Sequence, residues 1–585
     1  MKKMFKPLSA IFMSAAIAAS AGAMTAMPAF AADHSISVSN ADGDEATHEY
    51  IAYQVFAGTL GDDESTISNI QWGNGVKPTE LLAALKAAAV FGSGDENLFK
   101  DCATADQVAV VIENFSANSA EANAFADIVA AHLSTTSYNI SSGTKVPEAS
   151  YYFIKDTITT KPDTNKHYAY SDHILKVVTN SDLEGVKAKA DVPSIEKKIG
   201  TVFASGTKAS TASIGDKVPF VLESAVPDMS KYNDYYFIIT DTMSDGLTFN
   251  NDVAITVGEF ALTKDVDFTV EQTGQKFQIV FKNFYEELYL NKTPNDTSDD
   301  GTHLGEKITV TYSATLNEKA DITSTGNPNT VDLTYSNNPN HTYGGGDKPT
   351  DDEKNNDDVI GKTPESKTNT FTTGLKLIKK DATTNAALEG AKFKIEGTGV
   401  KAVIINNEIY KEAEDGTYYM LKNGTFTETS STAETIANYD STTTKYKLIS
   451  TVTADTAAAT NSVNQTAYSD TNGVITFVGL TAGTYTITEL EAPEHYNKLS
   501  GNIVINIEAN LNEAGTAYTW AVKKDGTNIG QEDNLFKFEV ENNKGMTLPG
   551  TGGIGTTIFY IVGALLVSGA LVLLITKKRM NIKEK

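Results

Sequence analysis

Phe536-Lys537-Phe538-Glu539-Val540-Glu541-Asn542 alternates apolar and charged residues one for one until an asparagine ends the row. Successive side chains of a β-strand point to opposite faces, so Phe536, Phe538, Val540 and Asn542 share one face. An amide that ends an apolar row this way points into the core. Upstream, Leu377-Ile378-Lys379-Lys380-Asp381, Asn472-Gly-Val-Ile-Thr-Phe-Val-Gly-Leu and Gly483-Thr-Tyr-Thr-Ile-Thr-Glu489 read as further strands of one β-domain, residues 370–545. A Thr/Ala/Ser-rich stretch from about Thr425 to Ala467 is poor in core residues and reads as a large loop insertion.

Working outward, residues 191–343 are nearly all strand. Lys217-Val-Pro-Phe-Val-Leu, Tyr235-Tyr-Phe-Ile-Ile-Thr, Phe277-Gln-Ile-Val-Phe and Lys307-Ile-Thr-Val-Thr-Tyr are separated by turn-rich segments, as in a β-sandwich. Residues 344–369 carry Gly, Asp and Asn with few large apolar side chains and read as a linker. Residues 32–190 mix strands, such as Glu49-Tyr-Ile-Ala-Tyr-Gln-Val-Phe and Tyr151-Tyr-Phe-Ile, with three helical stretches. One is ELLAALKAAAVF after Pro78-Thr79, with Leu81, Leu82 and Leu85 on one face behind a Thr cap. The others run from Thr104 to Phe115 and from Ala120 to Leu133. The expected fold class is all-β: tandem immunoglobulin-like sandwiches, the first with a helical insertion, and a C-terminal transmembrane helix.

Both termini carry targeting signals. Lys2, Lys3 and Lys6, an apolar run and the small-x-small pattern Ala29-Phe30-Ala31 describe a signal peptide over residues 1–31. Residues 546–585 hold Leu548-Pro549-Gly550-Thr551-Gly552, an apolar span over 554–575 and Lys577-Lys578-Arg579. About 22 apolar residues rise ~33 Å as a helix, enough to cross a bilayer, and the basic cluster keeps the tail cytoplasmic. Roughly 510 residues remain between the signals, enough for three or four domains with real cores. A net charge of −26 excludes a nucleic-acid role. The single cysteine, Cys102, excludes an intramolecular disulfide, so covalent stapling must come from other chemistry.

The C-terminal order of motif, span and basic tail resembles the cell-wall sorting signal of Gram-positive surface proteins. That resemblance implies that a sortase cysteine cleaves between Thr551 and Gly552, holds Thr551 as a thioester and passes it to an amine. Residues 370–545 resemble the B-type repeat domain of the Gram-positive collagen adhesin, also a building block of pilins. In that family a Lys and an Asn on adjacent strands join through an isopeptide bond, assisted by a buried carboxyl. Motif matching assigns these roles to Lys379, Asn542 and Glu489. One departure is Pro493-Glu494-His495-Tyr496, where the family usually has Gly before the Tyr. Burial favours a neutral amine that can attack an amide carbon, and a buried carboxyl that keeps its proton can polarise the carbonyl as ammonia leaves.

In the middle domain, the alternation Ile195, Lys197, Ile199 points Lys197 inward, and Val331-Asp-Leu-Thr-Tyr-Ser-Asn337 points Asn337 inward. Asp241 is the matching acid by resemblance to the middle domain of backbone pilins. Lys198 and Asn338 stay open as alternatives, since a bulge shifts register by one. Tyr50-Ile-Ala-Tyr-Gln-Val-Phe, Ile70-Gln-Trp-Gly-Asn-Gly and Ile174-Leu-Lys-Val-Val resemble the N-terminal domain of backbone pilins. There a Lys just before the second domain accepts the Thr acyl group of the next subunit. The segment here is Gly185-Val-Lys187-Ala-Lys189-Ala-Asp-Val-Pro, with Ala188 where the family has Pro. Lys189 is favoured by its distance from Val192-Pro193, and Lys187 is the alternative.

Other patterns carry less. Gly550-x-Gly552-x-x-Gly555 lacks a βαβ setting. Asp296-x-Ser298-x-Asp300-Gly301 is half of a calcium loop, but Lys307 stands where the bidentate Glu belongs, so no metal is expected. No HExxH, GxSxG, Walker A or Cys/His cluster is present, and neither a cofactor nor turnover of an external substrate is expected. The expectation is a pilus shaft subunit whose partners are a sortase, further copies of itself, minor tip or base pilins and cell-wall peptidoglycan. The alternative is a monomeric wall-anchored adhesin whose first domain binds a host surface ligand.

Overall fold

The computed structural model describes residues 33–117, 119–162, 166–290, 303–344, 346–398, 404–405, 409–420, 426–428, 445–450, 462–545 and 554–581. The expected signal peptide, the LPGTG motif and the Asp296–Gly301 turn lie outside the described residues.

In the first domain, Ile67–Trp72, Thr47–Leu60, Ser150–Thr160 and Ile174–Val178 form an antiparallel sheet in that order. Helices Pro78–Ala87, Ala105–Ile112 and Ala120–Ala131 cover one face, burying Leu81, Leu85, Val108, Phe125 and Val129 against Val55 and Phe153. Cys102 is buried in that helical layer. Tyr50, Ala52, Tyr152 and Ile154 form a second small core on the other face. The expected Thr79 cap is corrected. Pro78 is the first helical residue, Lys77 is the N-cap without a side-chain bond, and Thr79 sits inside the first turn. Proline suits that position because its missing N–H would have no helical partner there. The second helix does have its cap, a box between Thr104 and Gln107.

The middle domain is a two-sheet sandwich. One sheet runs Glu196–Ile199, Lys217–Ala225, Lys307–Leu316, Ala254–Val257, Phe260–Leu262. The other runs Ala209–Thr211, Ser366–Phe371, Asn327–Ser336, Phe237–Met243, Lys276–Phe281, Phe268–Thr273. The linker expected over 344–369 is therefore corrected. That segment holds the short helix Asp351–Lys354 and the strand Ile360–Lys362, and Ser366–Phe371 pairs with Asn327–Val331 inside the sheet. Thr368 and Thr370 are its inward residues, and both are buried. A count of large apolar side chains passes over an alternation carried by threonine.

The third domain opposes two sheets as well. Thr373–Asp381 lies between Val474–Leu480 and Leu535–Asn542, antiparallel to the former and parallel to the latter. Lys392–Thr398 lies between Ser462–Tyr468 and Gly483–Glu491, with Ile503–Leu511 and Tyr518–Lys524 beyond. Ser462–Tyr468 falls within the stretch expected to be a loop insertion. It is an edge strand of the domain's own sheet, with Ala467 in the core. Further out, Ile409–Glu412 pairs with Tyr446–Ser450, and Tyr410, Phe426 and Tyr446 pack ring on ring. Helix Ile554–Asn581 carries an apolar stretch, Thr557–Met580, long enough to cross a membrane, with none of it buried.

Both joints between domains are hydrogen-bonded. Strand Ser366–Phe371 continues within two residues into Thr373–Asp381, Ile214 N–H donates to Gly479 O at 3.1 Å, and Thr481 Oγ1 meets Thr211 Oγ1 at 2.9 Å. Gly479 has φ +77°, and a Cβ there would lie 2.3 Å from the Ile214 side chain, so the joint needs glycine. At the first joint, the segment 166–171 is a strap. Tyr335 donates its hydroxyl to Tyr168 O at 3.1 Å, Tyr168 donates to Asp357 O at 2.6 Å, and Tyr170 N–H donates to Asn337 O at 2.7 Å. The first domain holds the same strap through carboxylates: Ala169 N–H donates to Asp44 at 3.0 Å and Ser171 N–H to Asp156 at 2.7 Å. His48 sits between these acids, Nδ1 at 2.9 Å from Asp156 and Nε2 at 3.2 Å from Asp44.

Burial opposes charge on His48, but Asp156 and Asp44 outweigh it and raise its pKa to about 9. A raised folded-state pKa gives stability that is complete below the unfolded value near 6.5 and is lost as pH rises through 9. The strap should thus lose about 3 kcal/mol of support across that window. Denaturant unfolding of wild type and His48→Gln between pH 6 and pH 9.5 checks this. Their stability difference should be largest at pH 6 and vanish by pH 9.5.

Candidate functional site

Two buried lysines mark the sites. In the third domain, Lys379 and Asn542 sit on the adjacent parallel strands Thr373–Asp381 and Leu535–Asn542, Lys379 opposite Val540 and Asp381 opposite Asn542. Lys379 is 0% exposed and Asn542 2%. Glu489 reaches them from Gly483–Glu491 in the facing sheet. Its Oε1 accepts from Asn542 Nδ2 at 2.8 Å and lies 4.0 Å from Lys379 Nζ. Leu499 N–H donates to its other oxygen at 2.7 Å, fixing the carboxyl. Lys379 Nζ also donates to Val540 O at 3.1 Å. Burial depresses the Lys379 pKa to about 8, with Glu489 opposing that shift. Asn542 Oδ1 is buried with no hydrogen-bond partner among the described residues. The structure therefore brings Lys379, Glu489 and Asn542 together, with the carboxyl between amine and amide.

The nearby turn bears the departure noted at Pro493–Tyr496. His495 adopts φ +70°, the left-handed region where a side chain is strained and glycine is not. Tyr496 N–H donates to Pro493 O at 3.0 Å and Tyr496 donates its hydroxyl to Asp381 at 2.7 Å, so the turn forms despite the residue.

In the middle domain, Lys197 Nζ is 2.6 Å from Asp241 Oδ2, both side chains 0% exposed. Tyr312 donates to the same oxygen at 2.5 Å, and Asn329 Nδ2 donates to the Tyr312 hydroxyl at 2.9 Å. Lys197 Nζ also lies 5.1 Å from the Phe220 ring centre and 5.4 Å from that of Tyr312. Burial lowers the Lys197 pKa to about 8 and raises that of Asp241, each opposed by the other's charge. Asp241 Oδ1 and Asn329 Oδ1 are buried without partners among the described residues.

Asn337 is not part of this cluster. Its side chain donates to Asp357 O at 3.3 Å, beside the strap to the first domain. Asp241 pairs with Val331 and Met243 with Asn329, which places Asn329 beside the acid. Asn329 and Asn337 share a strand face but stand eight residues apart, about 26 Å along an extended chain. Strand alternation gives both asparagines the same face, and register alone decides which one meets the acid. The alternatives also face elsewhere, Lys198 over the Phe203 ring and Asn338 toward Asp358 O. Tyr312 was missed as well, although Ile308, Val310 and Tyr312 alternate inward along one strand.

Lys189 lies at the first joint. Its Nζ donates to His173 O at 2.8 Å and stands 3.8 Å from Asp172 Oδ2. The chain around it is pinned: Lys189 N–H donates to Ser171 Oγ at 2.9 Å and Asp172 N–H to Lys189 O at 3.0 Å. Lys187 is exposed at the end of Leu183–Lys187, a strand parallel to Ile36–Ser39.

A family model described as "Gram-positive pilin backbone subunit 2, Cna-B-like domain" matches residues 214–339. A "Prealbumin-like fold domain" matches 373–523, and an "LPXTG cell wall anchor motif" matches 540–581. The trypsin-resistant surface T6 protein of Streptococcus pyogenes serotype M6 is 27% identical over 458 residues, covering 74% of this chain and 75% of that protein. Among solved structures, the T6 backbone pilin of serotype M6 Streptococcus pyogenes has a TM-score of 0.43 at 17% identity, covering 87% of this chain and 97% of its own. The full-length major pilin SpaD from Corynebacterium diphtheriae has 0.42 at 14%, covering 88% and 98%.

Tyr312→Phe tests the middle cluster by itself. Asn329 loses its acceptor and Asp241 a donor, which should cost about 1–3 kcal/mol. The thermal midpoint of the middle domain should fall by roughly 2–10 °C.

Proposed function

We propose that the chain is a structural subunit of a Gram-positive pilus shaft, anchored at the cell wall, and that its copies are joined head to tail from Thr551 to Lys189 and stapled internally by two isopeptide bonds. The internal bonds join Lys379 to Asn542 with Glu489 assisting, and Lys197 to Asn329 with Asp241 assisting. The observation that carries the reading is the enclosure of a lysine amine, an acid and an asparagine amide in one buried cluster in each of two successive domains. In each, the neutral amine attacks the amide carbon and a C–N bond forms, the carboxyl relays a proton from the attacking nitrogen to the amide nitrogen, and the amide C–N bond breaks as ammonia leaves. The depressed lysine pKa values favour the amine that attacks. Closing a loop of roughly 160 residues in the third domain adds about 5 kcal/mol by chain entropy.

Sortase supplies the intermolecular step: Thr551 is carried as a thioester and Lys189 takes it over. The last subunit is instead passed to peptidoglycan. Minor tip or base pilins would attach by the same transfer.

Peptide mapping of the purified chain should find two cross-linked peptides, each lighter by one ammonia than its parts. Glu489→Ala should abolish the first and Asn329→Ala the second, while Asn337→Ala leaves both. Uncross-linked wild-type peptides would refute the internal bonds, and a cross-link lost in Asn337→Ala would refute the choice of Asn329.

Polymerisation is read on surface extracts boiled in detergent. Beside a pilus-type sortase, wild type should give a high-mass ladder, and Thr551→Ala should give neither ladder nor wall linkage. Lys189→Ala should give a single wall-linked band. Lys189→Arg should match it, since a guanidinium stays protonated and cannot attack a thioester. A ladder that survives Lys189→Ala and disappears in Lys187→Ala would move the linkage to Lys187. A wild type without any ladder would favour the monomeric adhesin.

A further inference from the structure

The surroundings of Lys189 contain an acid that the linkage so far leaves without a role. Asp172 precedes strand Ile174–Val178, its side chain 14% exposed, and its Oδ2 is 3.8 Å from Lys189 Nζ. The two residues are locked together by a main-chain bond and by the Ser171 hydroxyl. Asp172 N–H donates to Lys189 O, Lys189 N–H donates to Ser171 Oγ, and Ser171 Oγ donates to Asp172 O at 2.9 Å. The Lys189 side chain is 30% exposed, so it is neither buried nor free. An unconstrained surface lysine would show none of this.

We propose that Asp172 is the proton acceptor and positioning partner of Lys189 as its amine attacks the thioester carrying Thr551 of a second copy. The inference rests on the reading of Lys189 as the linking lysine. Lys189 Nζ gives one proton to Asp172 Oδ2, and the freed lone pair forms the C–N bond at the thioester carbon. The tetrahedral adduct collapses with cleavage of C–S, and its second nitrogen proton leaves with the sortase sulfur as a thiol. Asp172 then returns its proton to water. His173 O holds Nζ in place throughout but is no base.

The electrostatics fit this exchange. Burial lowers the Lys189 pKa against the opposing charge of Asp172, with Lys231 and Lys176 adding to the fall. Burial raises that of Asp172, with Lys189 and Lys231 opposing. Asp127, on helix Ala120–Ala131, and Tyr232, in the middle domain, also feel the charge of Asp172. Burial, Lys155 and Lys189 push the pKa of His173 down to about 4, so its ring is neutral beside the pair.

The sign of one substitution separates proton acceptance from mere charge. Asp172's negative charge raises the Lys189 pKa, so removing charge alone would free more amine and speed transfer. Losing the acceptor slows it. Cells expressing the full chain with a pilus-type sortase are pulse-labelled, and ladder growth is followed at external pH 6 to 9. Asp172→Asn should slow growth by roughly 100-fold or more at pH 7. The deficit relative to wild type should shrink toward pH 9, and Asp172→Glu should recover much of the rate. Asp172→Asn growing as fast as wild type at every pH, with Lys189→Ala making no ladder, would overturn this role and leave the linkage standing. A ladder in Lys189→Ala would overturn the linkage itself. Should Asp172→Asn not reach the surface, Asp172→Ser is read by the same criteria.

Discussion

Two lysine side chains are buried completely inside β-sandwich cores, and the architecture around them follows from what that burial requires. An ammonium withdrawn from water costs several kcal/mol unless a partner and hydrogen bonds replace the solvent. Lys197 has Asp241 at 2.6 Å and two aromatic faces, and Lys379 has Glu489 and a main-chain carbonyl. Each acid comes from a different strand from the lysine, so each cluster forms only when the sandwich has closed. In the third domain the first and last strands must also lie side by side and parallel, because only that pairing sets Asn542 beside Lys379.

This placement has a mechanical consequence once the proposed bonds are made. Tension entering at Lys189 reaches Lys197 within a few residues and crosses to Asn329. It then follows strands Asn327–Ser336 and Ser366–Phe371 into Thr373–Asp381, crosses from Lys379 to Asn542, and leaves toward Thr551. Most of each sandwich hangs beside that route rather than along it. The route also gives a reason for strands Ile360–Lys362 and Ser366–Phe371 to be built into the middle sheet. A loose tether there would extend under load, whereas Ser366–Phe371 is paired on both sides.

The first domain stands off the route and has different chemistry. Its packing is held by a helical layer and by the His48, Asp44 and Asp156 node that grips the strap 166–171. That strap leads directly into Asp172 and His173, the groups that hold Lys189. The same local structure that docks the first domain on the middle one therefore shapes the setting of the amine.

Much of this was legible in the linear chain. Period two marked the strands and put Asn542 and Lys197 on inward faces, because strand parity is a local property of the backbone. The apolar C-terminal span and the helical layer of the first domain were equally local signals. What depends on pairing between distant strands was not. Asn329 and Asn337 have the same parity, and only the register of Asn327–Ser336 against Phe237–Met243 decides which one meets Asp241. Strand Ser366–Phe371 was hidden because Thr368 and Thr370 are among its inward residues, and strand Ser462–Tyr468 because a small residue, Ala467, is what it sends into the core; both strands depend on neighbours far along the chain. Asp172 and Tyr312 became visible for the same reason, since a partner at hydrogen-bond or ion-pair distance is set by the closing of sheets and joints, not by spacing in sequence.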